Sequence, residues 1–343
     1  MRLSELAYET LSPDPQISGL TADSRAVSRG FLFAALPGVK TDGAKFIEQA
    51  EASGAAAILA LPGAVSKLPM IIDKEPRRRL AQMAAKFYPR QPQVIAGVTG
   101  TNGKTSTARF AAQLWTLLGC EAGSMGTLGA QSRVYERPLG HTTPDPVTLH
   151  ETLDAMARAG VTHLTMEVSS HGIAQHRADA VNFRVAAFTN ITQYHLYYHA
   201  SFDDYFAAKG RLFSHLLSKD GTAAVNMDGE GAEGIIEIAR ARNVPTVQTG
   251  VKGRDVRLLS CRPHLEGLAL EIECGGYVYR ADPPLIGGFQ AENALLAAGI
   301  LIGAGARPAE VMVQLANIEG APGRMEYVAE AGGVGQLSAP AAT

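Results

Sequence analysis

The stretch VIAGVTGTNGKTSTARF, Val94–Phe110, decides how this sequence folds. Its first part, VIAGVTG, is a continuous apolar run closed by glycine, the pattern of a buried strand. KTSTARFAAQLWTLLG then carries helical spacing from Lys104 to Gly119, a glycine placed where a C-cap belongs. A strand that passes through a glycine-rich turn into a helix is suited to holding phosphate. Gly100 and Gly103 let backbone amides turn inward, and the helix N-terminus points the positive end of its dipole the same way. Lys104 brings a charge for the β- and γ-phosphates, and the Thr105 or Ser106 hydroxyl brings an oxygen for Mg²⁺. The spacing departs from the generic G-x-x-x-x-G-K-[ST] pattern. Its first glycine would fall at 98, where the chain has Val98, and Gly97 lies one place early. A strand–helix turn with no ligand is the plain alternative; the lysine, the two hydroxyls and both flanking elements weigh against it.

The bulk composition narrows the classes further. A chain of 343 residues is expected to divide into two or three domains. Its hydrophobic fraction of 46% and charged fraction of 19% describe a globular protein. A net charge of -2 leaves no basic footprint for nucleic acid. The opening MRLSELAYETLSPDPQ has no signal-peptide pattern, and no apolar run approaches the roughly 20 residues of a membrane span. Cys120, Cys261 and Cys274 are too few and too scattered for a disulfide framework or a zinc site, so a reducing, cytoplasmic setting is expected.

Residues 1–88 mix short apolar runs (GFLFAAL, AAAILAL, MIID) with glycine turns and helical stretches, which predicts a small α/β domain. YPRQPQ, Tyr88–Gln93, is a proline-bearing hinge. After it HLTMEVSS, VAAFTNI, GTAAVNM and VPTVQTG read as strands. Helical patterns near 147–159, 203–217 and 230–242 alternate with them, predicting a doubly wound, mostly parallel sheet. From Asp255 to Arg280 the period changes to two, as in antiparallel strands, and FQAENALLAAGILIGAG returns to helix. The last residues, 329–343, are small and unpatterned, and a disordered tail is expected there.

TGTNGKT is the form of the phosphate loop in the Mur ligases, the ATP-dependent amide-forming enzymes of peptidoglycan synthesis. TADSRAVSRGFLFAALPG, TDGAKFI and SGAAAIL resemble the N-terminal UDP-binding domain of the type that adds the third residue to the peptide stem. HTTPDP, MEVSSHGIAQHR, FTN, AAKGRLF, GGFQAENALLAAG and APGRMEYV resemble that type's central ATPase domain, so the likeness runs to about Val328. It implies a uridine-binding domain over 1–88 and an ATP-binding domain over 89–328. It also implies ligation of an amino acid, with diaminopimelate favoured over lysine by MEVSSHGIAQHR, to a UDP-N-acetylmuramoyl dipeptide through an acyl phosphate. A folylpolyglutamate synthetase relative shares the phosphate loop but lacks DSR…GFLFAALPG and SSHGIAQHR.

The resemblance also implies roles for individual residues. Gly100, Thr101, Asn102, Gly103, Lys104, Thr105 and Ser106 would hold ATP, with Asn293 at the base and Arg324 at the ribose or phosphates. Glu167 would join the Thr105 and Ser106 hydroxyls at Mg²⁺. Its sequence alternative is a solvated strand-end acid, and that of Asn293 is a helix-start residue. Lys209 would carry a carbamate made from CO₂ and so become an anionic metal ligand, which requires a neutral amine. Thr142, Thr143, Ser169, Gln175 and Arg177 would hold the UDP-muramoyl dipeptide, and Ala22 and Ser24 the uridine.

Two departures stand out. Where these ligases read D-H-L-D-Y-H, with the first histidine at a second metal, this chain reads Tyr194-His195-Leu196-Tyr197-Tyr198-His199. His195 remains a candidate ligand, but both aspartates that would orient the ring and add negative charge are tyrosines. Reduced or absent turnover with persisting nucleotide binding is the expectation, and a non-catalytic module binding nucleotide or UDP-muramoyl peptide is the alternative function. After GRMEYV the resemblance implies a third, amino-acid-binding domain of roughly 130–150 residues; the sequence reads AEAGGVGQLSAPAAT instead, and a chain without that domain is the expectation.

Overall fold

The computed structural model describes residues 1–38, 42–192, 201–320, 326–331 and 334–338. Contacts divide the chain into two compact units: Met1–Gln91 with Pro144–Ala155 and Ala174–Val181, and the remainder.

The first unit is built on four parallel strands, β1 (Gly19–Thr21), β2 (Phe31–Ala35), β3 (Ala57–Ala60) and β4 (Met70–Ile72), in that spatial order. Side chains alternate across a strand, and here both faces are covered. Leu32, Ala34, Leu59 and Ile71 join Leu3, Leu20 and Leu80 in one core. Phe33, Ala35, Ile58 and Ala60 join Ile47 and Ala50 in the other. The continuous apolar runs of the sequence are therefore strands buried on both sides. Helix Pro76–Phe87 opens with proline at its first turn, where no backbone donor is needed.

The same unit contains a fully buried histidine. His150, on helix Pro146–Arg158, sits 3.1 Å through Nε2 from the Asp179 carbonyl, and its Nδ1 has no partner. Burial, opposed in part by that hydrogen bond, pushes its pKa from 6.5 down to about 4. Below pH 6.5 the unfolded chain takes up a proton that the folded chain refuses, so stability declines as pH falls through this window. The gap between 6.5 and about 4 corresponds to about 3 kcal/mol. Urea unfolding followed between pH 7 and 4 will show that loss in the parent and a flatter profile in His150→Leu.

The second unit holds a sheet of β5 (Val94–Thr99), β6 (Ala122–Gly126), β7 (Gly129–Ser132), β8 (Glu136–Arg137), β9 (His163–Glu167), β10 (Phe183–Phe188), β11 (Leu217–Asn226), β12 (Thr246–Gly250), β13 (Val256–His264), β14 (Gly267–Cys274) and β15 (Tyr277–Ala281). Their order is β15-β14-β13-β12-β11-β10-β5-β9-β6-β7-β8. From β13 to β6 every neighbouring pair is parallel; β14 and β15 at one end and β7 and β8 at the other add antiparallel pairs. The period-two alternation after Asp255 is the β13–β15 meander. Residues 122–137, not read as strands, supply β6, β7 and β8. Their glycines and serines carry little strand propensity, so pairing rather than composition makes them strands.

Chain order reverses about β5. The chain goes to β6 and back to β9 on one side, then crosses to β10 on the other. The carboxyl ends of β5, β9 and β10 flank that reversal, the usual ligand position in a doubly wound sheet. Helix Phe289–Gly303 is apolar nearly all round and buried in this unit's core. The helix expected over 203–217 ends at Arg211 and continues as a π-helix over Leu212–Leu216.

The tail expected to be without order contains a correction. Glu326–Ala331 and Val334–Ser338 pair as antiparallel strands. Small, glycine-rich residues carry little strand propensity, so pairing rather than composition makes these strands. Among the described residues no helix is long and apolar enough to cross a membrane.

Candidate active site

The loop after β5 is shaped by backbone that only glycine adopts freely. Gly100 lies at φ +148° and Gly103 at φ +83°. A Cβ on Gly100 would meet Thr189 Oγ1 at 1.8 Å, and one on Gly103 would meet Asn293 Oδ1 at 2.3 Å. Neither position has room for a side chain. The end of β10 braces the loop: Thr101 N donates to Asn190 O (2.8 Å), Asn102 N to Asn190 Oδ1 (3.1 Å), and Thr189 Oγ1 to Asn102 O (2.6 Å). Gly103 is the N-cap of helix Lys104–Leu117, so the amides of its first turn have no carbonyl partner within the helix. Lys104 folds back, its Nζ donating to Gly100 O and Thr101 O, each at 2.9 Å.

Register then delivers a carboxylate. β5 pairs with β9 so that Val98 faces Glu167, placing that acid at the mouth of the loop. Glu167 is buried, and its Oε1 accepts from Thr105 Oγ1 (3.0 Å) and Thr127 N (2.9 Å). The solvated strand-end alternative is thereby excluded. Ser106 is also buried beside Thr105. Carboxylate and hydroxyl oxygens are the donor set that Mg²⁺ takes, commonly with one or two protein carboxylates and the rest from phosphates and water. Among the described residues no group of three His, Cys, Asp or Glu side chains converges as a metal site.

Lys209 lies on helix Phe202–Arg211, which Ser201 caps by accepting from Asp204 N (3.1 Å). The side chain is almost wholly buried. Its Nζ donates to Gly100 O (2.8 Å) and lies 4.4 Å from the centre of the Tyr205 ring. Burial, with the Lys104 cation as a second cause, holds its pKa well below the usual lysine value. A lysine poised to lose its proton is a rare environment and one suited to amine chemistry. Tyr205 OH in turn pairs with Thr101 Oγ1 at 3.1 Å, tying this helix to the loop. Asn293, in the first turns of helix Phe289–Gly303, is buried, donates to Gln290 Oε1 (3.0 Å) and lies against Gly103. It is not a helix cap.

Residues 98–301 match the Mur ligase middle domain, and residues 16–88 match the Mur ligase family catalytic domain. This chain belongs to the Mur ligase family. It is 45% identical to the UDP-N-acetylmuramoyl-L-alanyl-D-glutamate--2,6-diaminopimelate ligase of Caulobacter vibrioides over 95% of this chain and 69% of that protein. The same-named ligase of Brucella melitensis is 42% identical over 96% of this chain and 69% of its own length. A solved structure of a ligase of that name superposes with a TM-score of 0.85 at 26% identity, again covering 96% of this chain and 69% of that one.

The sequence-predicted residues of this Mur ligase fall into three sets. Gly100–Ser106, Glu167, Lys209 and Asn293 converge around the loop, with Thr142, Thr143 and Ser169 nearby in the same unit. Thr143 Oγ1 donates to Glu167 O (3.2 Å), accepts from Ser169 N (3.0 Å) and lies 3.2 Å from Ser169 Oγ. In the other unit, Ala22 is exposed and Ser24 is buried, donating to Gln49 Oε1 (3.1 Å). There too Arg177 donates through Nε and Nη2 to Gln175 Oε1 (3.1 and 2.8 Å). His195, with Tyr194 and Tyr197, and Arg324 lie outside the described residues.

Four residues at the site escaped the sequence reading: Thr127, Thr189, Asn190 and Tyr205. Tyr205 stands four before Lys209, the spacing that shares a helix face, so that signal was available. Thr127 sits in a hairpin with no strand pattern, and nothing local marked it.

Proposed function

We propose that this Mur ligase holds ATP and a UDP-N-acetylmuramoyl dipeptide and activates the dipeptide carboxylate as an acyl phosphate for attack by an amino acid. The names of the relatives favour 2,6-diaminopimelate as that amino acid and UDP-N-acetylmuramoyl-L-alanyl-D-glutamate as the acceptor. The carrying observation is the β5–β9 register, which sets the Glu167 carboxylate 3.0 Å from Thr105 at a loop built for phosphate.

In this reading residues 89–328 bind ATP and residues 1–88 bind uridine, through Ala22 and Ser24. Amides of Gly100–Ser106 and the Lys104 ammonium surround the phosphates, while Asn293 meets the base and Arg324 the ribose or phosphates. Glu167, Thr105 and Ser106 would hold Mg²⁺, joined by His195 and by a carbamate on Lys209, and the ion would neutralise charge on the β- and γ-phosphates. Thr142, Thr143, Ser169, Gln175 and Arg177 orient the muramoyl dipeptide. A carboxylate oxygen attacks the γ-phosphorus as its bond to the bridging oxygen breaks, and ADP leaves with the electron pair. The incoming amine then attacks the acyl carbon and expels phosphate. Holding the two reactants in line supplies most of the acceleration.

Hydroxylamine trapping tests this. With ATP, Mg²⁺ and the UDP-muramoyl dipeptide, the chain should form a hydroxamate and release ADP only when the dipeptide is present. Nucleotide binding without dipeptide-dependent ADP release would instead assign the chain as a binding module, the function that Tyr194 and Tyr197 favour.

A further inference from the structure

β6 and β7 pair antiparallel with Gly126 opposite Gly129, leaving Thr127 and Leu128 at the tip of a tight hairpin. The tip presses on Glu167: a Cβ on Gly126 would lie 2.1 Å from Glu167 Oε1. Thr127 grips both carboxylate oxygens, its N–H donating to Oε1 at 2.9 Å and its hydroxyl reaching Oε2 at 3.4 Å. The same hydroxyl lies 3.0 Å from Thr142 Oγ1. One exposed side chain thus touches both the acid assigned to the metal nucleotide and a threonine assigned to the second substrate.

Proton counting gives this contact a direction. A hydroxyl has one proton to donate, and an ionised carboxylate only accepts. While Thr127 donates to Glu167, Thr142 must donate to Thr127, and its own proton is spent. A cation held by Glu167 would supply the positive charge the carboxylate needs. Thr127 would then be free to donate to Thr142, leaving the Thr142 proton for an anionic ligand. We propose that Thr127 is a positioning residue that couples the two sites, so that bound magnesium nucleotide raises the affinity for the anionic UDP substrate. This deepens the function proposed above and rests on it. By linkage, the substrate tightens nucleotide binding by the same factor.

The test measures calorimetric affinity for the UDP-muramoyl dipeptide, with and without a magnesium-loaded non-hydrolysable ATP analogue. The parent chain should bind the dipeptide roughly 10-fold tighter with the nucleotide present, a typical coupling. In Thr127→Val, which keeps the backbone donor and the side-chain shape, the ratio should fall to about one, and Thr127→Ser should restore it. A merely structural role would move affinity or melting temperature but not that ratio. A valine variant that keeps the parent ratio, or a parent ratio of one, overturns the coupling. A parent that binds no nucleotide overturns the proposed function itself.

Discussion

Replacing Lys104 with alanine should lower nucleotide affinity and turnover by about 100- to 1,000-fold, the usual loss when one strong donor to a developing charge is removed. The apo chain should melt within a few degrees of the parent. Lys104 is half-buried, and its Nζ donates to two carbonyls of the loop it serves, which puts the ammonium beside the position of an incoming phosphate. The change has a second, signed effect. Lys104 is one cause of the depressed Lys209 pKa, so without it Lys209 retains its proton to higher pH. Residual activity that depends on the neutral Lys209 amine should therefore shift toward alkaline pH. Calorimetry with ATP and ADP, followed by a pH–rate profile, measures both. Parent-like affinity in Lys104→Ala would remove the phosphate role of the loop.

Lys209→Met should separate stability from function more sharply. Methionine fills a similar volume without charge, and Gly100 O keeps the Lys104 ammonium as a donor, so no acceptor is orphaned. Because the folded pKa of Lys209 is depressed, the unfolded chain binds that proton more readily, and the ammonium costs stability at neutral pH. The methionine variant should therefore be more stable at pH 7, by on the order of 1 kcal/mol. The difference should narrow as pH rises toward the ordinary lysine range. Ligase turnover should meanwhile fall at least about 100-fold. Denaturant midpoints at pH 7 and 10, set beside dipeptide-dependent ADP release, test the pair. A destabilised variant that remained active would contradict both parts.

Much of this arrangement was legible because local chemistry and fold agree where the signals were strong. The run from Val94 through Lys104 reads as strand, glycine turn and helix, which is what forms, and the switch to period two after Asp255 marked the antiparallel edge. Glu167 was singled out through the family resemblance, since its place at the end of an apolar strand suited a solvated acid as well. Partners supplied by register were harder to find. Thr189 and Asn190 brace the loop only because β10 lies beside β5, and strand order is set by long-range packing that no window of sequence contains. Thr127 reaches Glu167 through a hairpin whose glycines and serines carry no strand signature. The paired strands after Glu326 lie in a stretch of small residues with no strand period, so pairing rather than local pattern makes them.

The close approach of Gly103 to Asn293 has a consequence for which molecules fit. If Asn293 meets the base, any side chain introduced at position 103 would press on the amide that reads it, so a single change in the turn would disturb both ends of a bound nucleotide at once.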